Sequence, residues 1–261
     1  MAGVVVVGAF DDLRARDVRF LEEAARLGSL TVLLKTDEDL ARQGTAAKFP
    51  LAERAYLLNA VRHVREVIPF SESDRPRNAH IWAERPADAC EEREAASARM
   101  GLEYRVLPDS LLDGFPPTPA APPTGRQSVA VTGCYDWLHS GHVRFFEEAA
   151  GHGDLTVFVG NDACIEGLKG KGHPQFGQDE RRYMVGAVRH VHQAIVSSGS
   201  GWLDADAEIR ALKPDIFIVN EDGDKDCKRD YCRDLGIEYR VLKRVPAAGL
   251  PKRSSTGLRG F

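Results

Sequence analysis

The sequence predicts an α/β protein built of two tandem Rossmann-like, parallel-sheet domains. Three features carry this reading: an internal repeat, strand-like runs alternating with helical patterns, and a proline-rich stretch between the copies. Residues 8–37 align without gaps on residues 133–162, with 15 of 30 positions identical. Two shorter blocks follow in the same order, 53–68 on 180–195 and 101–107 on 236–242. Three collinear blocks amount to a tandem duplication. Between the copies, FPPTPAAPPTG at 115–125 favours extended polyproline II and reads as a semi-rigid linker. The expected domains are therefore 1–114 and 126–261.

The elements of the second copy follow in order. VAVTG (129–133), LTVFVG (155–160), DIFIVN (215–220) and YRVL (239–242) are continuous apolar runs, as expected of strands covered on both faces. Helical patterns cover 142–151, 179–192, 203–212 and 224–235. In the second of these, Met184, Val185, Val188 and Val191 recur at helical spacing on one apolar face. Such alternation implies right-handed crossovers and a ligand site beyond the carboxyl ends of the strands.

Composition narrows the function. The 261 residues are 43% hydrophobic and 28% charged, an ordinary globular balance. The net charge of −4 disfavours a general nucleic-acid binder, which needs a basic excess. No apolar run reaches the roughly 20 residues of a membrane span. MAGVVVVGAF reads as a first strand rather than a signal peptide. Five cysteines without CxxC spacing argue against a disulfide framework or a zinc ribbon. A cytoplasmic protein with reduced thiols is expected.

The unusual residues fall just after strand ends. The first strand of the second copy ends at Gly133 and runs into Asp136, His139, Gly141 and His142 at a helix start. Imidazole donors, free helix N–H groups and a close-approach glycine suit phosphate oxygens. The plain alternatives are a metal pair or two surface histidines. LKGKGHP (168–174) places Lys169 and Lys171 on a glycine-rich loop, or else forms a solvated basic turn. Glu180 and Arg181 open a helix, where an exposed charge pair is the simpler reading. RSSTGLR (253–259) offers hydroxyls and Arg259 at a helix start, a phosphate clamp or merely a capped helix. No Walker A loop is present.

Taken together, GCYDWLHSGH, the lysine loop, the Glu-Arg helix and SSTxxR resemble the cytidylyltransferase-like nucleotidyltransferase family with its HxGH motif. The tandem layout is similar to that of the phosphoethanolamine cytidylyltransferases. The resemblance implies transfer of a nucleoside monophosphate from CTP, or in some branches ATP, to a phosphorylated or phosphonylated small alcohol, with release of pyrophosphate. It implies Mg2+ carried on the nucleotide phosphates. His139 and His142 would contact those phosphates, and Lys169 or Lys171 would bridge the α-phosphate and the acceptor, with the loop position favouring Lys169. Arg181, Ser255, Thr256 and Arg259 would hold phosphates. Gly133, Cys134 and Tyr135 would present backbone near the nucleotide, and Asn220, Glu221 and Asp222 would hold the nucleoside. Many relatives carry an acidic pair after the Glu-Arg helix, where this chain reads His190-Val191-His192-Gln193-Ala194. That departure speaks against a cationic alcohol such as choline or ethanolamine and leaves the acceptor unnamed.

The first copy has lost these ligands. Arg14, Arg16 and Asp17 stand where the second copy has His139, Gly141 and His142, and only Lys48 remains of the lysine loop. PDIFIVNEDGD has no evident counterpart in it. Domain 1–114 is expected to be inactive and to pack on 126–261 as an internal pseudo-dimer, with further homo-oligomers open. Two other readings compete: an ATP-dependent adenylyltransferase forming an ADP-sugar or cofactor, and a non-catalytic nucleotide-binding scaffold.

Overall fold

Val4–Val7 and Val129–Val131 have no polar side chain and almost no exposed surface, so both open a buried central strand. The computed structural model describes residues 2–70 and 78–258. It separates into two units, Met1–Phe115 and Pro116–Phe261.

Unit 1 runs β1 (Gly3–Gly8), α1 (Ala15–Arg26), β2 (Ser29–Lys35), α2 (Asp37–Arg42), α3 (Leu51–Ala60), β3 (Glu66–Phe70), β4 (Ile81–Glu84), α4 (Glu91–Met100) and β5 (Glu103–Val106). Its strands form one parallel sheet in the order β3-β2-β1-β4-β5. Unit 2 runs β6 (Ser128–Gly133), α5 (Ser140–Ala150), β7 (Asp154–Val159), α6 (Asp162–Lys169), α7 (Gln178–Gly186), β8 (Gln193–Val196), α8 (Asp206–Leu212), β9 (Ile216–Asn220), α9 (Asp226–Leu235) and β10 (Glu238–Leu242). Its parallel order, β10-β9-β6-β7-β8, is the same topology. The strand order reverses at β6, between β7 and β9, where such sheets bind ligands.

The units match more fully than the sequence suggested. Ile81 and Trp82 pair with Val4 and Val5 just as Ile216 and Phe217 pair with Val129 and Ala130. The segment without evident counterpart therefore has one in β4, at an offset of 135. The retained apolar positions Val18, Phe20, Ala24, Val61 and Val64 are all buried.

Three elements differ from the sequence reading. Helix α7 stops at Gly186, well short of 192. Val188 N–H then donates to the Val185 carbonyl and Val191 N–H to the Val188 carbonyl. These three-residue turns repeat the helical spacing, so the apolar periodicity ran on past the helix. The expected lysine loop begins as α6, with Lys169 its last residue. The linker residues are not free-standing either: Thr124 bonds the Asp154 carboxylate through its N–H and hydroxyl, at 2.8 and 2.7 Å.

Candidate active site

The chain leaves β6 at Gly133 and turns sharply at Tyr135, whose φ is +52°. Asp136 fixes the turn by accepting hydrogen bonds from the Gln175 and Phe176 N–H groups at 2.7 and 3.1 Å. His139 then caps α5, its Nδ1 accepting from Gly141 N–H at 3.1 Å. The His142 and Val143 N–H groups both donate to the His139 carbonyl. The first-turn amides are thus engaged, not free as the sequence reading supposed. The donor on offer is the imidazole.

Because Nδ1 accepts, neutral His139 carries its proton on Nε2, and that atom is buried without a partner. The ring stacks on His142 with centroids 3.9 Å apart. Burial first, then Arg244 and Arg253, lowers the His139 pKa to about 4. Burial and the neighbouring His139 hold His142 well below the ordinary value. Both rings are neutral at pH 7, and His139 directs an unsatisfied N–H donor. Gly141 keeps the arrangement open, since an added Cβ would come within 3.0 Å of the His139 ring.

Beside them lies a cleft of about 230 Å³ at the carboxyl ends of β6 and β9. Of the expected residues, Gly133, Cys134, Tyr135, Asp136, Gly141, His142, Lys169, Asn220, Asp222 and Ser255 line it. His139 joins by stacking on His142. Ser255 donates to the Trp137 carbonyl at 3.4 Å, which ties the C-terminal segment to the site. Lys228 and Arg244 also line the cleft and were missed. A signal for Arg244 existed: its counterpart in unit 1 is Asp109, a reversed charge. Lys228 was lost among the many charges of α9.

Lys171, Glu221 and Arg181 stand elsewhere. Lys171 lies in the turn beyond α6 and is not among the lining residues. Glu221 is exposed, its carboxylate 3.4 Å from the Arg244 N–H. Arg259 and the side chain of Thr256 lie outside the described residues. Arg181 is corrected outright. It is 1% exposed, and its guanidinium donates to the Phe176 and Cys134 carbonyls and to Asp162 at 2.6–2.8 Å. Arg54 of unit 1 repeats the pattern with the Phe49 and Ala9 carbonyls and Asp37. A fastener kept in the unit that lost its ligands holds the fold, not a phosphate.

The vacated positions of unit 1 are stitched by ion pairs. Arg16 and Asp109, standing at the Gly141 and Arg244 positions, pair at 2.5 Å. Asp17, at the His142 position, pairs with Arg85, at the Asn220 position. Gln193 opens β8 at its amino end, and its His192 neighbour bonds the Leu155 carbonyl. The departure from the acidic pair therefore lies away from the cleft and says nothing of the acceptor.

A family model described as Cytidylyltransferase-like matches residues 130–255. The FAD synthase of Aciduliprofundum boonei is 36% identical over 118 residues, 44% of this chain and 76% of the relative. The chain belongs to the cytidylyltransferase-like nucleotidyltransferase family. The FAD synthase of Pyrococcus abyssi is 31% identical over 135 residues, 50% of this chain and 88% of the relative. The bifunctional protein HldE of Aliarcobacter butzleri is 30% identical over 122 residues, 46% of this chain. The chain spans about a quarter of the length of that HldE relative. The family match falls within unit 2, around the histidine cleft.

No helix among the described residues is long and apolar enough to cross a membrane. Nor do three His, Cys, Asp or Glu side chains gather there to hold a metal ion. Asp136 is committed to two backbone amides and Asp222 pairs with Arg244 at 2.6 Å. The cleft's own carboxylates do not form a magnesium cage.

Proposed function

We propose that unit 2 transfers an adenylyl group from ATP to the phosphate of a small phosphorylated acceptor, releasing pyrophosphate. The observation that carries the transfer is the buried, unpartnered Nε2–H of His139 beside a cleft lined by Lys169, Lys228 and Arg244. A neutral donor and three cations suit the oxygens of a polyphosphate. The choice of ATP over the expected CTP is supported by the FAD synthase relatives, since FAD contains an adenylyl group joined through a pyrophosphate linkage.

The chemistry needs little beyond this. A phosphate monoester has a second pKa near 6, so at neutral pH the acceptor is largely a dianion and needs no general base. One of its oxygens attacks the α-phosphorus in line. The bond from that phosphorus to the bridging oxygen breaks, and the electron pair leaves with pyrophosphate. Catalysis then rests on positioning and on stabilising charge around phosphorus. His139 donates to a phosphate oxygen without competing for a proton, because its low pKa keeps it neutral. Lys169 supplies charge from the end of α6, and Arg244 from beyond β10. Magnesium, when bound, would be held by the nucleotide's phosphates.

The test is pyrophosphate release from ATP, CTP, GTP and UTP with a panel of phosphorylated alcohols and sugars. Release with ATP is expected. Release with CTP alone would overturn the nucleotide assignment, and release with none would overturn the enzyme.

A further inference from the structure

Tyr135 is 6% exposed, lines the cleft, and its hydroxyl has no hydrogen-bond partner. A buried, unsatisfied hydroxyl costs free energy, so its retention asks for a compensating role. Packing does not supply one, as unit 1 shows. Phe10 occupies the matching position with the same left-handed backbone, φ +44°, and the same burial, 8% exposed. In both units the ring folds over a glycine. A Cβ on Gly8 would meet the Phe10 ring at 2.9 Å, and one on Gly133 would meet the Tyr135 ring at 2.6 Å. The glycine therefore makes room for the aromatic ring in both copies. The ring is common to both, while the hydroxyl occurs only in the copy with the histidine pair.

Resting on the function proposed above, we propose that the Tyr135 hydroxyl is a further substrate-binding donor, held for an oxygen of the nucleotide's phosphates. Burial raises the phenol's pKa, so the group stays protonated and can donate at any working pH. The cleft beside it carries Lys169, Lys228 and Arg244, which select an anionic ligand rich in acceptor oxygens. The ring is braced edge-on against His142, with centroids 5.2 Å apart, and against Phe146 at 5.1 Å. That bracing pre-sets the hydroxyl beside the histidine pair, so little ordering remains for binding.

Tyr135→Phe is the direct test, because unit 1 already tolerates Phe at this place. Binding of ATP and of inorganic pyrophosphate is measured by calorimetry on the full-length chain, together with the thermal midpoint of each protein. A hydrogen bond to a charged oxygen predicts about 10-fold weaker binding of both probes. Removing an unsatisfied buried hydroxyl predicts an unchanged or raised midpoint without ligand. Phe10→Tyr, the reciprocal change in unit 1, should leave ATP binding unaltered. Equal affinities for wild type and Tyr135→Phe would overturn the assignment, as would weaker binding accompanied by a lowered midpoint, which would mark a packing role. Failure of the wild type to bind ATP at all would overturn the proposed function instead.

Discussion

Arg181 and His139 show how the same local sequence signal divides into different roles once side chains are placed. Both stand in motifs shared with nucleotidyltransferases, yet Arg181 is spent on two carbonyls and Asp162 while His139 keeps a free donor. Sequence could name the residues but not their partners, because the Arg181 acceptors Cys134 and Asp162 lie 47 and 19 positions away. Comparing the two copies would have separated them, since Arg54 survives and the histidines do not. Arg181→Ala should lower stability by about 3 kcal/mol, the order expected on breaking a buried charged cluster, and should barely change the Michaelis constant for ATP in whatever folded protein remains. Denaturant midpoints check it. His139 also predicts a pH response. Its folded pKa of about 4 lies below the ordinary 6.5, so below pH 6.5 the unfolded chain takes up a proton that the folded chain refuses. Stability from this site is full above pH 6.5 and falls by about 3 kcal/mol as the pH drops to 4. The slope should shrink in His139→Asn, measured by urea titration between pH 7.5 and 4.5.

At the scale of elements, what was legible depended on burial. The central strands β6, β7 and β9 are covered on both faces and read directly from their apolar runs. β8 is an edge strand of four half-buried residues, and the apolar run in Gln193–Val196 is too short to stand out as a strand after the helix expected over 179–192. Helix α6 hid because Gly167 and its last residue, Lys169, run straight into a glycine-rich turn. It also separates the two lysines in space. Lys169 ends the helix and lines the cleft, while Lys171 stands two residues on, in the exposed turn. Lys169→Met should cut kcat by about 100-fold with little change in nucleotide affinity, because charge builds up in the transition state. Lys171→Met should cost no more than a few-fold. Steady-state kinetics of both variants checks the pair, and the reverse ranking would move the catalytic charge into the turn.

Across the whole molecule, duplication has produced two sheets of one topology, and among the described residues the histidine cleft belongs to unit 2. Where unit 2 presents Gly141, His142, Asn220 and Arg244, unit 1 has Arg16, Asp17, Arg85 and Asp109, joined in ion pairs. Complementary charges thus stand opposite one another where unit 2 lines its cleft. The duplication was plain in the sequence; the mutual pairing of its lost positions was not, because the partners lie 93 and 68 residues apart. In the proposed reaction the His139 donor of unit 2 drives adenylyl transfer. The most direct measurement is pyrophosphate release from ATP, with a panel of phosphorylated acceptors, by the wild type and by His139→Ala. The account predicts release by the wild type and a rate about 100-fold lower in the variant, the usual loss for one transition-state donor. Equal rates in the two proteins, or release from CTP and not ATP, would contradict it.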